Sequence, residues 1–153
     1  TEIYTLSLHD ALPISEAEKF GVIVGVEPVA THPVSSPQKM RRMLDSIGSS
    51  NLQVVFDPVN LLTADSYKQQ ERILNDALQL FGDRIAIIHA KDFIIESNQL
   101  KFVRSGLGLL RHDLIMKFAV QEKPGISILL EDTNEQTAVD ARQFLLDKAA
   151  ELA

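Results

Sequence analysis

The amino-acid sequence predicts an α/β protein built on a parallel β-sheet, and three observations lead to this prediction. Four short apolar runs alternate with segments in which apolar residues recur at helical spacing. The run at residues 85–88 is apolar at every position, and a strand that is apolar on both faces is typical of a parallel sheet covered by helices. An ionisable residue follows each run, and the functional residues of parallel sheets collect where the strands end.

Composition excludes several classes of protein. The chain has 153 residues and no cysteine, so it holds neither disulfides nor thiolate metal sites. Its 45% hydrophobic and 24% charged residues are typical of globular proteins. No apolar run approaches the ~20 residues of a membrane span. Because no stretch resembles a signal peptide, we expect a cytoplasmic protein without a membrane partner. The net charge of −6 argues against a nucleic-acid partner.

Residues 1–14 do not lead into the pattern that follows. They begin without Met and resemble, over their whole length, the in-frame translation of a widely used sequencing adapter. We therefore predict that residues 1–14 are a non-native, adapter-derived segment and that the domain covers residues 15–153. The alternative is a genuine strand or helix in which Leu6, Leu8 and Leu12 are packed inside.

The first βα unit is predicted to begin with a strand at residues 21–26, which ends at Glu27. Ser36 and Pro37 then indicate a helix start, with Ser as the N-cap and Pro at the first helical position. The apolar residues that follow at helical spacing and form one buried stripe are Met40, Met43, Leu44 and Ile47. Gly48 stands where a left-handed C-cap would end this helix.

The second unit repeats this order. Residues 52–56 predict a strand that leads to Asp57. A helix is expected from about Ser66 to Phe81, and Gly82 closes it.

The third unit begins with residues 85–88, which lead to His89. A loop is then expected to run to about Gly108, with Asp92 as a loop or capping residue. A helix follows, and His112 is predicted to lie on its surface. The residues that this helix is expected to bury are Leu114, Ile115, Phe118 and Ala119.

The fourth strand, at residues 126–130, leads to Glu131. Thr133 or Asn134 is expected to cap a last helix. The residues of that helix expected to face inward are Ala138, Ala141, Leu145, Ala149 and Leu152.

The spacing of the strand ends favours a barrel over an open sheet. Successive ends are separated by 30, 32 and 42 residues, whereas an eight-unit barrel of ~250 residues averages ~31 per unit. An open doubly wound sheet usually has a Gly-rich phosphate loop after its first strand, and this sequence has none there. We therefore predict a partial (β/α)8 TIM barrel of about four βα units.

One potential metal ligand ends each strand, and these are Glu27, Asp57, His89 and Glu131. Adjacent strand ends of a barrel lie on one rim, where inward side chains converge. Taken singly, each residue has an ordinary structural explanation as a solvated loop residue or a turn former. Together, three carboxylates and one imidazole suit a hard divalent cation such as Mn²⁺ or Mg²⁺.

A family resemblance rests on the segments at residues 26–28, 56–60, 88–92 and 130–131. From about Gly21 to its end, the chain resembles the carboxyl-terminal half of the sugar phosphate isomerase/epimerase family, the xylose isomerase-like barrels. The resemblance implies that Glu27, Asp57, His89 and Glu131 hold one divalent metal ion. Mn²⁺ or Mg²⁺ is expected, with Co²⁺ or Zn²⁺ as alternatives. It also implies that Glu27 and Glu131 are the catalytic acid/base pair.

This chemistry predicts a metal-dependent isomerase or epimerase of a small sugar or sugar derivative. Two carboxylates can exchange a proton on a carbon beside a carbonyl, while the metal stabilises the enediolate charge. Substrate contacts are expected from four residues, namely Asn60, His32, Lys91 and Arg104. Many relatives have His where this chain has Asn60, and Asn cannot shuttle a proton.

Two other functions compete with this one. If half of a barrel is missing, the chain as written is an inactive truncated fragment, and only its full-length parent is an enzyme. A homo-oligomer that closes two halves into one barrel is a further possibility. An apurinic-site endonuclease-like hydrolase would need more His ligands and a basic face for DNA, and the net charge of −6 disfavours it.

Overall fold

The computed structural model describes residues 8–152, with side chains described from Pro13 onward. It confirms the predicted α/β fold with a parallel sheet. The helices are α1 (Leu8–Phe20), α2 (Pro37–Ile47), α3 (Gln70–Phe81), α4 (His112–Lys117) and α5 (Ala138–Ala150). The strands are β1 (Val24–Val26), β2 (Leu52–Phe56), β3 (Ile85–Ala90), β4 (Asp92–Glu96), β5 (Gln99–Val103) and β6 (Ser127–Leu130). Among the helices in this part of the chain, none combines the length and apolarity required to cross a membrane.

The central sheet has four strands in the order β1-β2-β3-β6, and every neighbouring pair is parallel. Its register pairs Val26 with Val54, Phe56 with Ile88, and Ala90 with Leu130. The carboxyl ends of all four strands therefore lie along one edge of the sheet, as the sequence predicts.

Helices pack on one face of this sheet. Phe56 of β2 and Phe81 of α3 are fully buried and meet edge-to-face, with ring centroids 5.8 Å apart. The opposite face carries Leu129, which is 48% exposed, and the half-buried Val55 and Ile87. The apolar residues of the second face lie where the interior of a closed barrel would be.

Helix α2 begins and ends as its sequence predicts. Ser36 has extended backbone, and its Oγ accepts a hydrogen bond from the Lys39 N–H at 3.3 Å. Gly48 adopts φ 69°, and its N–H donates to the Leu44 carbonyl. A left-handed residue at this position is most easily glycine, which explains why the helix stops there.

Helix α1 crosses the boundary that we predict between residues 14 and 15. Ile14 is 6% exposed and packs with the main hydrophobic core. Residues 1–7 of the predicted adapter-derived segment lie outside the described residues. The origin of residues 1–14 stays a prediction.

A β-hairpin replaces part of the predicted loop after β3. Strands β4 and β5 pair in antiparallel fashion, and Glu96 opposite Gln99 leaves a two-residue turn. Ser97 and Asn98 in that turn have φ of 50° and 58°, as a type I′ turn requires. The loop prediction was wrong because Ser-Asn is a weaker hairpin signal than Asn-Gly.

Three polar side chains join neighbouring units at the amino ends of the strands, and we call Asn51, Arg84 and Lys123 the amino-end donors. Asn51 Nδ2 donates to the Val22 carbonyl at 2.8 Å, and Arg84 donates to the Leu52 carbonyl at 2.5 Å. Lys123 Nζ donates to three carbonyls, those of Gly82, Asp83 and Ile85, at 3.2, 2.9 and 2.5 Å. Each donor satisfies carbonyl groups that precede or begin the neighbouring strand.

Candidate metal centre at the carboxyl ends of the strands

Side-chain alternation brings the four strand-end residues to one face, and we call Glu27, Asp57, His89 and Glu131 the strand-end cluster. His89 pairs with Leu129 across β3 and β6, so both side chains point to the face without helices. Asp57 lies two residues after Val55, and Glu131 lies two residues after Leu129, which puts both carboxylates on that same face. The strands thus aim all four side chains at one region.

Three members of the cluster form a compact triad. Glu27, Asp57 and His89 each offer a ligand atom, and these atoms lie within 4.8 Å of one another. His89 Nδ1 is 3.5 Å from Glu27 Oε2. Asp57 is fully buried, whereas Glu27 and His89 are partly exposed. The triad is therefore a half-open pocket of carboxylate and imidazole groups.

Asp57 is held by the turn that follows it. Its Oδ1 accepts hydrogen bonds from the Val59 and Asn60 N–H groups at 3.0 and 3.1 Å. Pro58 has helical φ and starts the 3₁₀ turn of residues 59–61. The Asp-Pro-Val-Asn sequence thus fixes the carboxylate by local hydrogen bonds and leaves Oδ2 for the cluster.

Asn60 orients Glu27. The Asn60 Nδ2 group donates to Glu27 Oε1, and Glu27 Oε2 is the oxygen near His89 Nδ1. The sequence predicts that Asn60 contacts substrate, and in the structure its amide lies on the Glu27 carboxylate. An amide that donates to one oxygen leaves the other free to act.

The chemistry of these donors fits a divalent cation. Asp57 Oδ2 and His89 Nδ1 are buried and make no aligned hydrogen bond, although charged groups lie at ion-pair distance from both. Buried polar atoms normally have aligned partners, so their absence at two neighbouring atoms is typical of a ligand-binding position. The carboxylate oxygens and one imidazole nitrogen are ligand types that Mn²⁺ and Mg²⁺ accept and that Zn²⁺ and Co²⁺ also use.

Glu131 lies beside the triad but is not part of the group whose ligand atoms all lie within 4.8 Å of one another. Its Oε1 is 2.9 Å from His89 Nδ1, and its Oε2 is 2.8 Å from Lys91 Nζ. The structure thus brings three of the four predicted ligands into one compact group and places the fourth next to it, drawn towards Lys91.

Lys91 is buried, with 5% of its surface exposed, and it bridges two carboxylates. Its Nζ lies 2.8 Å from Asp57 Oδ2 and 2.8 Å from Glu131 Oε2. Burial alone would lower the pKa of Lys91, but its contacts with the two carboxylates outweigh burial and raise that pKa. The group is therefore a protonated, buried cation.

The two carboxylates respond differently to Lys91. Burial raises the pKa of Asp57, and the charge of Glu27 adds to the effect, while Lys91 and the Asn60 N–H act against it. For Glu131, burial acts upward, but the hydrogen bond and charge of Lys91 outweigh it and lower the pKa. Glu131 is therefore held ionised next to the triad.

Two predicted substrate contacts, His32 and Arg104, lie on loops that lead away from β1 and β5. His32 is exposed in the loop after β1, and that loop is tied to the cluster by an Ala30 N–H bond to the Asn60 carbonyl at 2.7 Å. The Arg104 guanidinium donates to the Ser105 carbonyl at 3.1 Å and to Asp140 of α5 at 3.4 Å. Arg104 thus contacts the last helix, and His32 remains on a rim loop.

A buried pair that the sequence does not predict, His112 and Asp92, lies near the cluster. His112, predicted to lie on the surface, is 5% exposed, and its Nε2 is 3.3 Å from Asp92 Oδ2. Asp92 also accepts hydrogen bonds from four backbone N–H groups, those of Phe93, Gly106, Gly108 and Leu110. The surface prediction was wrong because His112 packs edge-to-face on Phe144, a contact between α4 and α5 that helical spacing does not reveal. These contacts anchor the hairpin and its following loop beside the site.

Comparison with known proteins agrees with this architecture. The family described as xylose isomerase-like TIM barrels matches residues 7–148. No curated protein matches the chain.

Similar solved structures share the fold at low sequence identity. A xylose isomerase domain protein from Planctomyces limnophilus aligns with a TM-score of 0.68 and 16% identity, over 97% of this chain and 56% of its own. A 3-keto-D-glucoside 4-epimerase, YcjR, from E. coli aligns with a TM-score of 0.61 and 20% identity, over 92% and 51%. The IOLI protein with a binding zinc atom aligns with a TM-score of 0.66 and 19% identity, over 94% and 54%. The chain spans about half the length of these structures.

Proposed function

The chain belongs to the xylose isomerase-like TIM-barrel family, and from this premise we propose that its strand-end cluster is the metal-dependent centre of a sugar isomerase or epimerase. The observation that carries the proposal is the compact triad of Glu27, Asp57 and His89, with Glu131 beside it, at the carboxyl edge of a parallel sheet. In barrels of this kind, that edge is where catalytic residues collect.

The proposed ligands of a divalent cation are Glu27, Asp57, His89 and Glu131. A cation held there would supply Lewis-acid stabilisation of negative charge on oxygens next to a reacting carbon. Three carboxylates favour Mn²⁺ or Mg²⁺. A similar structure carries zinc, so Zn²⁺ and Co²⁺ are the alternatives to test.

The proposed acid/base pair is Glu27 and Glu131. These residues follow β1 and β6, the two outer strands of the sheet, while His89 comes from a central strand. Carboxylates that come from the two edge strands can remove a proton from a substrate carbon and return one to it. Asn60 holds one oxygen of Glu27, and Lys91 holds one oxygen of Glu131, so each carboxylate presents its other oxygen to the cluster.

The proposed substrate is a small sugar, polyol or keto-sugar derivative with a carbonyl next to the exchanging carbon. Neutral hydroxyl and carbonyl oxygens suit a cluster that lacks a free cationic side chain among its described members, since Lys91 is committed to two carboxylates. His32 is proposed as a further contact from the rim loop. Arg104 would contact substrate only by leaving Asp140.

A second candidate is a chain that binds the cation without turning substrate over. The exposed sheet face favours it, because Leu129 and its neighbours form only one wall of a barrel interior. In that case turnover belongs to a complete barrel that carries these four units.

Hydrogen exchange separates the two candidates. The 153-residue chain is incubated with Mn²⁺ and a panel of aldoses, ketoses and 3-keto sugars in D₂O, and proton NMR follows loss of the C–H signal beside the carbonyl. Isomerase activity predicts Mn²⁺-dependent exchange, and Glu131→Gln should abolish it. The control is Glu135→Gln, which alters an exposed carboxylate and should leave the exchange unchanged. Mn²⁺ binding without exchange selects the second candidate. Failure to bind any of the four divalent cations contradicts both.

A further inference from the structure

Lys91 is an unusual component of this site, because its ammonium group is buried among groups that all favour a cation. Two carboxylate oxygens, Asp57 Oδ2 and Glu131 Oε2, lie 2.8 Å from its Nζ. The ring of Phe102, from the β4–β5 hairpin, covers the same nitrogen at 4.4 Å from the ring centroid. A lysine with these three neighbours is committed to them and is shielded from solvent.

These contacts decide which carboxylate oxygens remain available. Asp57 Oδ1 accepts two backbone N–H groups, and its Oδ2 faces Lys91. Glu131 Oε2 accepts from Lys91, so Oε1 alone faces His89. Each carboxylate therefore has one oxygen withdrawn from the cluster by another partner.

We propose that Lys91 is a positioning residue that withdraws Glu131 Oε2 from the cation, as backbone N–H groups withdraw Asp57 Oδ1, and so keeps coordination positions open for substrate. The inference rests on the proposed function, because it assigns Lys91 a role at the same cation site. Carboxylates bind divalent cations through one or two oxygens, and Mn²⁺ and Mg²⁺ favour six ligands. Four single-atom protein ligands leave about two positions for a chelating substrate.

The charge balance supports the same role. Glu27, Asp57 and Glu131 bring three negative charges, and Lys91 reduces the total to the value that a divalent cation neutralises. Without Lys91 the site is more negative, Asp57 Oδ2 loses its competing ammonium partner, and the Glu131 carboxylate can rotate. The cation then binds more tightly through more oxygens, and fewer positions remain for water or substrate.

This role makes a prediction opposite to that of a structural lysine. A lysine that only supports the fold would weaken cation binding when removed. A lysine that only contacts substrate would leave cation binding and hydration unchanged. Lys91→Met, which keeps the aliphatic stem, should bind Mn²⁺ at least fivefold more tightly and lose at least one coordinated water.

The experiment titrates the 153-residue chain with Mn²⁺. Electron paramagnetic resonance of free Mn²⁺ gives affinity, and water-proton relaxation gives the number of exchangeable waters on the bound ion. The unaltered chain should keep about two waters. Lys91→Arg, which retains the charge and both contacts, should restore the unaltered value. Lys123→Met removes a cation at the opposite end of the strands and should leave the water number unchanged.

Two results would overturn the inference. The first is a folded Lys91→Met chain with the affinity and water number of the unaltered chain. If Lys91→Met does not fold, Lys91→Gln provides the test, since it removes the positive charge and keeps a polar end; an unchanged affinity and water number there is the second. Absence of Mn²⁺ binding by the unaltered chain contradicts the proposed function itself. Binding that is lost in His89→Ala but unaltered in Lys91→Met leaves that function standing and removes only this inference.

Discussion

The two ends of the same four strands use polar side chains in opposite ways. At the amino ends, Asn51, Arg84 and Lys123 donate to backbone carbonyls and link one βα unit to the next. At the carboxyl ends, the side chains of Glu27, Asp57 and His89 face one another. Two of their buried atoms, Asp57 Oδ2 and His89 Nδ1, lack an aligned hydrogen bond. Polar groups satisfied by the backbone stabilise a fold, whereas polar groups that face one another are available for a ligand.

The largest expected effect tests the carboxyl end. Asp57→Asn retains an oxygen for the Val59 and Asn60 N–H groups but removes the negative charge from the buried cluster. We expect Mn²⁺ affinity, measured by calorimetry, to fall at least about a hundredfold. The cation-free variant should unfold at a lower temperature yet remain folded, because Lys91 loses one of its two buried carboxylate partners. Affinity within threefold of the unaltered value would show that Asp57 is not a ligand.

A second substitution sharpens the comparison, because the carboxyl end also contains a structural network. A Cβ on Gly108 would collide with the Phe93 carbonyl and with Asp92 Oδ1. Gly108→Ala should therefore lower the free energy of unfolding by about 2 kcal/mol, as overpacking of backbone does. Urea unfolding measures the change. Gly125 has open space for a Cβ, but its φ of 87° would strain an alanine, so Gly125→Ala does not serve as a control. An unchanged midpoint would mean that the loop shifts freely.

The amino end is tested by Lys123→Met. Three carbonyls lose their donor, and because the group is partly exposed we expect a loss of about 1 kcal/mol in unfolding free energy. Mn²⁺ affinity should stay within twofold of the unaltered value. A large loss of affinity in this variant would break the separation between the two ends.

The smallest expected effect is a pH dependence confined to the carboxyl end. Burial acts to raise the pKa of Asp92, but the hydrogen bonds from His112 and from backbone N–H groups outweigh it, so the folded pKa lies below the ordinary value of 3.8. A depressed carboxyl pKa stabilises the fold fully above pH 3.8 and loses that contribution as pH falls through the folded pKa. Urea midpoints of the unaltered chain should therefore drop more steeply below that pH than those of Asp92→Asn. Parallel pH profiles would contradict this.

Sequence patterns predicted the elements that depend on local chemistry. Ser36-Pro37 and Gly48 bound α2 because caps act through neighbouring backbone groups. The strand ends were predictable because an apolar run indicates a strand and the ionisable residue after it indicates the carboxyl end of that strand.

Features that depend on distant contacts were not predictable in this way. Lys91 was expected to contact substrate, yet its partners Asp57 and Glu131 lie 34 and 40 residues away in sequence. His112 is buried by Phe144 of another helix. No local sequence pattern predicts either contact, and none predicts the ion pair between Arg104 and Asp140.

The proposed function requires that the strand-end cluster bind one divalent cation. Crystals of the chain grown with Mn²⁺ and measured at the manganese absorption edge test it most directly. Cation binding by the cluster predicts a single strong anomalous peak among the side chains of Glu27, Asp57 and His89. No peak there, or a peak only at another position on the protein, would contradict it.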